Sequence, residues 1–133
     1  MAIIAARLTH NRFPEIAAKL PREAAKITEK TALRIEETAK TSMAGPKSGR
    51  MYGAHQASAP GESPAIDTSN LANSIGTEAM GGASHMVYAG TEYALSLEFG
   101  SPRVAPRPFL GPAASQEEPE FLREMADLER RLR

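Results

Sequence analysis

The chain has 133 residues, enough for one domain with a modest core. Three Tyr, four Phe and no Trp leave Ile, Leu, Val, Met and Ala to fill that core, which favours helix packing over a large sandwich. The lack of cysteine excludes disulfides, thiolate metal sites and a cysteine nucleophile. The start, "MAIIAARLTH", has too short an apolar run for an export signal, and no later run approaches the ~18 apolar residues of a membrane span. A soluble protein without a membrane partner is expected.

Sixteen basic and sixteen acidic residues cancel, but not evenly along the chain. Residues 1–50 hold ten Lys/Arg against five Asp/Glu, residues 51–102 none against five, and residues 103–133 six against six, giving +5, −5 and 0. Such a split suits head-to-tail contact between copies. A helix with a solvated basic face is the plainer account of the first segment.

From Pro14 to Met43, Ile16, Leu20, Ala24, Ile27, Thr31 and Ile35 recur at helical spacing and predict an amphipathic helix. Asn11 is its expected cap, with Phe13 and Pro14 at the entry, and Pro21 predicts either a kink or a division into two helices. The outer faces are expected to carry Lys19, Arg22, Lys26, Lys30 and Arg34 among Glu15, Glu23 and Glu29. Gly45 to Asp67 then has ten Gly, Pro or Ser among 23 residues. It is expected to be a flexible loop that orders on assembly, and Tyr52, His55, Pro60, Gly61 and Pro64 are its candidate assembly residues.

Structure restarts at "DTSNLANSI", where Asp67, Thr68 or Ser69 caps a short helical turn bearing Leu71. Ser74–Met80 and Ser84–Thr91 read as a hairpin turning at Gly81-Gly82, with Met86 and Tyr88 on the face opposite Val87 and Ala89. "TEYALSLEF" predicts one or two helical turns stopped by Gly100 and Pro102. A stiff arm follows over residues 101–112, with Pro102, Pro106, Pro108 and Pro112. Ser115–Glu118 has capping-box spacing before a second stripe of Phe121, Leu122, Met125, Leu128 and Leu132. The expected class is α+β, with a long N-terminal and a C-terminal helix on a small antiparallel sheet, in one domain over residues 1–133.

Chemistry is hard to find. His10, His55 and His85 lack partners at metal-ligand spacing, so no metal or cofactor is called for. "GPKSGR" departs from the phosphate-loop order, and Pro46 removes an amide such a cradle needs. "GESPA" lacks the second glycine of a nucleophile elbow. Glu92 and Glu98, six apart, fall on different helix faces and make a poor acid/base pair. The expectation is a protein that is not an enzyme. Lys19, Arg22, Lys26 and Lys30 are candidate DNA-facing residues, although interleaved acids weaken their field.

The arm holds the remaining candidates. Arg103 and Arg107 offer forked donors for carboxylates, Pro108 stiffens the backbone, and Phe109-Leu110 forms an apolar anchor or a plug for the chain's own core. With Tyr93, Glu98, Phe99 and Gly100 these are the candidate subunit-interface residues. His55–Ile75 and Tyr93–Ala113 carry an Ala-Pro-Gly-x-x-Pro loop, an Asp-Thr-x-x-Leu restart, a Tyr-Ala…Glu-Phe-Gly turn and an Arg-Pro-Phe-Leu-x-Pro-Ala arm. In that order they resemble the small head-to-tail joining proteins of long-tailed phages and prophages, the neck or tail-completion components often labelled minor tail proteins. Ser69 stands where that pattern has a glycine.

The resemblance implies a virion protein, made in the bacterial host cytoplasm, that forms a hexameric ring at the head–tail junction. Its partners would be further copies of itself, a head connector or stopper protein, a tail terminator or tail tube protein, and packaged DNA contacted without sequence preference. A tail terminator ring is the first alternative. A small DNA-binding protein using its basic N-terminal helix is the second.

Overall fold

The computed structural model describes residue 5, residues 11–66 and residues 69–133. His10, Asp67 and Thr68, which figured in the sequence reading, lie outside the described residues.

The first apolar stripe forms α1, Phe13–Ala44, with Pro14 in its first turn, where a missing amide costs no intrahelical bond. Asn11 lies at the entry, and its side-chain oxygen accepts the Phe13 amide at 3.0 Å. Of the two outcomes expected at Pro21, a kink or a division, the division does not occur, and α1 runs through it as one helix of 32 residues. Pro21 is exposed, and Ala24 and Ile27, just beyond it, are buried against the far end of the chain, so packing carries the helix past one lost hydrogen bond.

The segment after α1 contains a small antiparallel hairpin, β1 (Met51–Tyr52) and β2 (His55–Gln56), which two residues per strand made invisible to any alternation rule. Gly53, at φ 63°, supplies the left-handed turn residue between them. α2 (Asn70–Ser74) then leads into β3 (Ile75–Gly81) and β4 (Ser84–Ala89), paired antiparallel with Ile75 opposite Ala89 and Glu78 opposite Met86. A register shift between Ala79 and Gly81 marks the approach to the turn. α3 (Ala94–Phe99) and α4 (Leu110–Leu132) complete the chain.

α4 begins earlier than the capping-box spacing predicted, so Ser115 lies inside the helix rather than at its cap, and the arm is shorter than residues 101–112. Pro112 falls within the first turn, where helical amides have no intrahelical partner, and Leu110-Gly111 can therefore open the helix.

The fold is α+β: α1 and α4 pack along each other, and the β3–β4 hairpin lies along α1. The base of the hairpin meets one core group, in which Ala39, Met43, Leu71, Ala72, Ile75, Ala94, Phe109 and Ala113 are buried. Its turn reaches the second group, where Ala83 packs on Ala24, Ile27 and Leu128. The Thr28 hydroxyl and His85 Nδ1, 3.0 Å apart, tie the hairpin to α1 between the two. Leu122, placed in the apolar stripe by spacing, is instead 57% exposed.

Candidate functional site: a cleft between the glycine-proline segment and the arm

Glu98 organises the arm. Its carboxylate accepts the amides of Phe109 at 2.8 Å, Leu110 at 3.0 Å and Gly111 at 2.7 Å, and so caps the start of α4 from another element. A Cβ at position 111 would sit 2.9 Å from that carboxylate, so a larger residue there would displace it. Behind it the Arg107 amide donates to the Leu97 carbonyl at 2.6 Å. Gly100 ends α3 at φ 80°, and a side chain at this position would also press on the Pro106 ring at 2.9 Å. Ser101–Pro108 is therefore a closed loop pinned at both ends to α3, and its prolines reduce the entropy lost in closing it.

In the structure the glycine-proline segment carries the β1–β2 hairpin and a set of polar contacts. Polar side chains replace the apolar ones it lacks. The Glu62 carboxylate accepts the Ser48 amide at 3.1 Å, the Ala59 amide at 2.9 Å and the Ser48 hydroxyl. The hydroxyl bond first, then the two amides, hold the Glu62 carboxyl below its ordinary value. Lys47 donates to the Ser42 carbonyl at 2.7 Å and to the Ser63 hydroxyl at 2.6 Å; partial burial lowers its pKa, with Glu62 pulling the other way. At Gly49 a Cβ would overlap the Ala57 carbonyl oxygen at 2.5 Å, so only glycine permits this close approach.

Two bonds stitch the segment to the arm: the Gly61 amide donates to the Pro106 carbonyl at 2.9 Å, and Arg107 Nε to the Ser58 carbonyl at 3.3 Å. Between them opens a cleft of about 420 Å³. Four expected residues converge on it, His55 and Pro64 from the segment and Tyr93 and Arg107 from the second motif. Met43, Leu71 and Leu97 add apolar walls, with Ser69 and Asn70 at the start of α2. Ser69 is the one described non-glycine residue at positive φ, 64°.

The other expected residues lie elsewhere. Tyr52, Pro60 and Gly61 are exposed, and the Arg50 guanidinium stands 5.2 Å from the centroid of the Tyr52 ring. Phe99, Gly100 and Arg103 line a second, shallower groove with Val104. Pro108 is half-buried, and Leu110 packs partly buried on the core. Phe109, read as an anchor for a neighbouring copy or a plug for its own core, is the plug, at 1% exposure. It cannot reach another copy without unfolding this one.

The basic face of α1 is largely answered within the chain. Lys19 pairs with Glu15 at 2.7 Å, Lys26 with Glu23 at 3.1 Å and Lys30 with Glu124 at 3.4 Å, whereas Arg22 is exposed and makes no ion pair among the described residues. Lys19 lowers the Glu15 pKa, and Lys26 that of Glu23. Arg34, expected on an outer face, turns toward α4 and meets Glu117 at 3.3 Å and Glu124 at 2.8 Å. Neither this cluster nor Glu62 was singled out by sequence reasoning. The seven-residue spacing of Glu117 and Glu124, two turns on one face, was the available signal for the first.

Among the described residues no group of three or more His, Asp or Glu is placed to hold a metal ion, and no helix is long and apolar enough to cross a membrane. Comparison with known protein families, curated proteins and solved structures finds no match to this chain.

Proposed function

We propose that this chain is a structural protein of the head–tail junction of a long-tailed phage or prophage particle. It forms a ring that joins the head connector to the tail tube and lets DNA pass. The reading begins from the four sequence elements that resemble the head-to-tail joining proteins. One observation carries it furthest: three of these elements, scattered over residues 59–113, build a single contiguous unit. The Ala-Pro-Gly loop is bonded to the proline arm through Gly61 and Pro106, and the Glu-Phe-Gly turn caps the helix that the Arg-Pro-Phe-Leu element opens. Ser69, where the pattern carries glycine, adopts the left-handed conformation that glycine favours.

Elements that cooperate this closely support an inherited scaffold rather than four chance matches. The exposed Tyr93, Leu95 and Phe99 beside the arm support a role in assembly.

Electron microscopy of lysates from a producer strain with the gene deleted and then restored tests the reading. Filled heads separated from tails, rejoined on complementation, are expected. Intact tailed particles in normal numbers would overturn it. Heads bearing no tails together with tails of uncontrolled length would instead identify a tail terminator, the neighbouring ring.

A further inference from the structure

Two apolar patches of this chain are uncovered, one bordered by the basic Arg103 and the other by the acidic Glu78. The first is on α3 and the arm. Leu95 and Phe99, four apart on one side of α3, are 69% and 74% exposed, while Ala94 and Leu97 face the core. Val104 and Arg103 border Phe99 across the shallow groove. Arg103 is exposed and makes no ion pair among the described residues.

The second patch is the outer face of the β3–β4 hairpin. Ile75, Val87 and Ala89 face α1, so the two-residue period of a strand sends Glu78, with Met86 and Tyr88 across the ladder, to the other side; Met80 follows at the register shift. Met80, Met86 and Tyr88 are 56%, 40% and 41% exposed. Glu78, opposite Met86, makes no ion pair among the described residues, and residues 51–102 contain no Lys or Arg.

We infer that the α3 patch of one copy docks on the outer hairpin face of the next, with Arg103 set against Glu78. Charge selects this arrangement over a symmetric one. A contact of either patch with its own image sets Arg103 against Arg103 or Glu78 against Glu78, whereas pairing the unlike patches sets opposite charges together and covers apolar surface of both kinds. When one patch of each copy is engaged, the other patch stays free as a docking face and the contact propagates. Its closure into a ring rests on the proposed function; the pairing itself does not.

The test uses the purified full-length chain in sedimentation velocity over a concentration series, with circular dichroism verifying the fold. Concentration-dependent association of the wild type is expected. Glu78→Arg and Arg103→Glu should each weaken it by about tenfold or more, and the double variant should recover most of the loss. Phe99→Ser, at an exposed position, should also disperse the assemblies while the chain stays folded.

A wild type that stays monomeric up to about 1 mM overturns the inference. Equal weakening in the double and single variants, or indifference to both reversals, also overturns it. Association indifferent to the reversals leaves the ring reading standing. Restored pairing alongside intact tailed particles in the gene-deletion lysates overturns the particle role and leaves the pairing.

Discussion

A single carboxylate decides where the last helix starts. Glu98 accepts three consecutive amides at the head of α4, which no local side chain caps. Glu98→Ala strands those donors where Phe109 must stay buried, and should cost roughly 1–2 kcal/mol in urea unfolding. An unchanged midpoint would show that water replaces the carboxylate. Ser69 makes the opposite case, since it holds φ 64° at a cost that glycine does not incur. Ser69→Gly is expected to raise stability by about 0.5–1 kcal/mol, the relief of strain exceeding the extra entropy of the unfolded glycine. A destabilised variant would mean that the hydroxyl contributes more than the backbone conformation costs.

Ion pairs as well as apolar contacts link the two long helices. Arg34 joins α1 to α4 through Glu117 and Glu124, supported by the Thr38 hydroxyl on Glu117 at 2.8 Å. Its side chain is 24% exposed and those of its partners about 15%, so the cluster is only partly screened by water. Arg34→Ala leaves two carboxylates facing each other between helices, and should destabilise by roughly 2 kcal/mol, less than the ~3–5 of a fully buried pair. The effect should persist in high salt, unlike that of losing the exposed Lys19–Glu15 pair.

The glycine-proline segment depends on Glu62 in a pH-dependent way. A carboxyl whose folded pKa is lowered contributes stability above its unfolded value of ~4.3, and loses it as pH falls through that value to the folded one. The Ser48 and Ala59 amide resonances should therefore titrate together in nuclear magnetic resonance, with a midpoint below that of an ordinary glutamate. Glu62→Gln should abolish the titration. Independent or higher midpoints would remove Glu62 as the organiser of the segment.

At the scale of the whole molecule, the uneven charge along the chain is partly reconciled by folding. The basic face of α1 finds Glu15, Glu23 and Glu124, so less of it is left for phosphates than residues 1–50 suggested. The free chain is expected to bind duplex DNA no tighter than roughly 10 µM at about 0.15 M salt, with log K falling no more steeply than about −2 against log salt. Fluorescence anisotropy measures both. Tight binding with a steep slope would restore the DNA-binding reading of the N-terminal helix.

Periodicity and glycine placement determined the main elements: a stripe from Ile16 to Ile35 specifies a helix, and "SIGTEAM…SHMVYAGT" specifies a hairpin, because a buried face repeats with its own element's period. Single positions decided less. Pro21 did not divide α1, Arg34 was not solvent-facing, and the capping-box spacing at Ser115 was not a helix start, because each outcome depends on a distant partner supplied by packing. Motif order marked residues of the cleft without indicating that it existed. Only the tertiary structure brings His55 and Pro64 to Tyr93 and Arg107, because the two bonds that close the cleft end on the backbone carbonyls of Pro106 and Ser58, and every residue offers such a carbonyl.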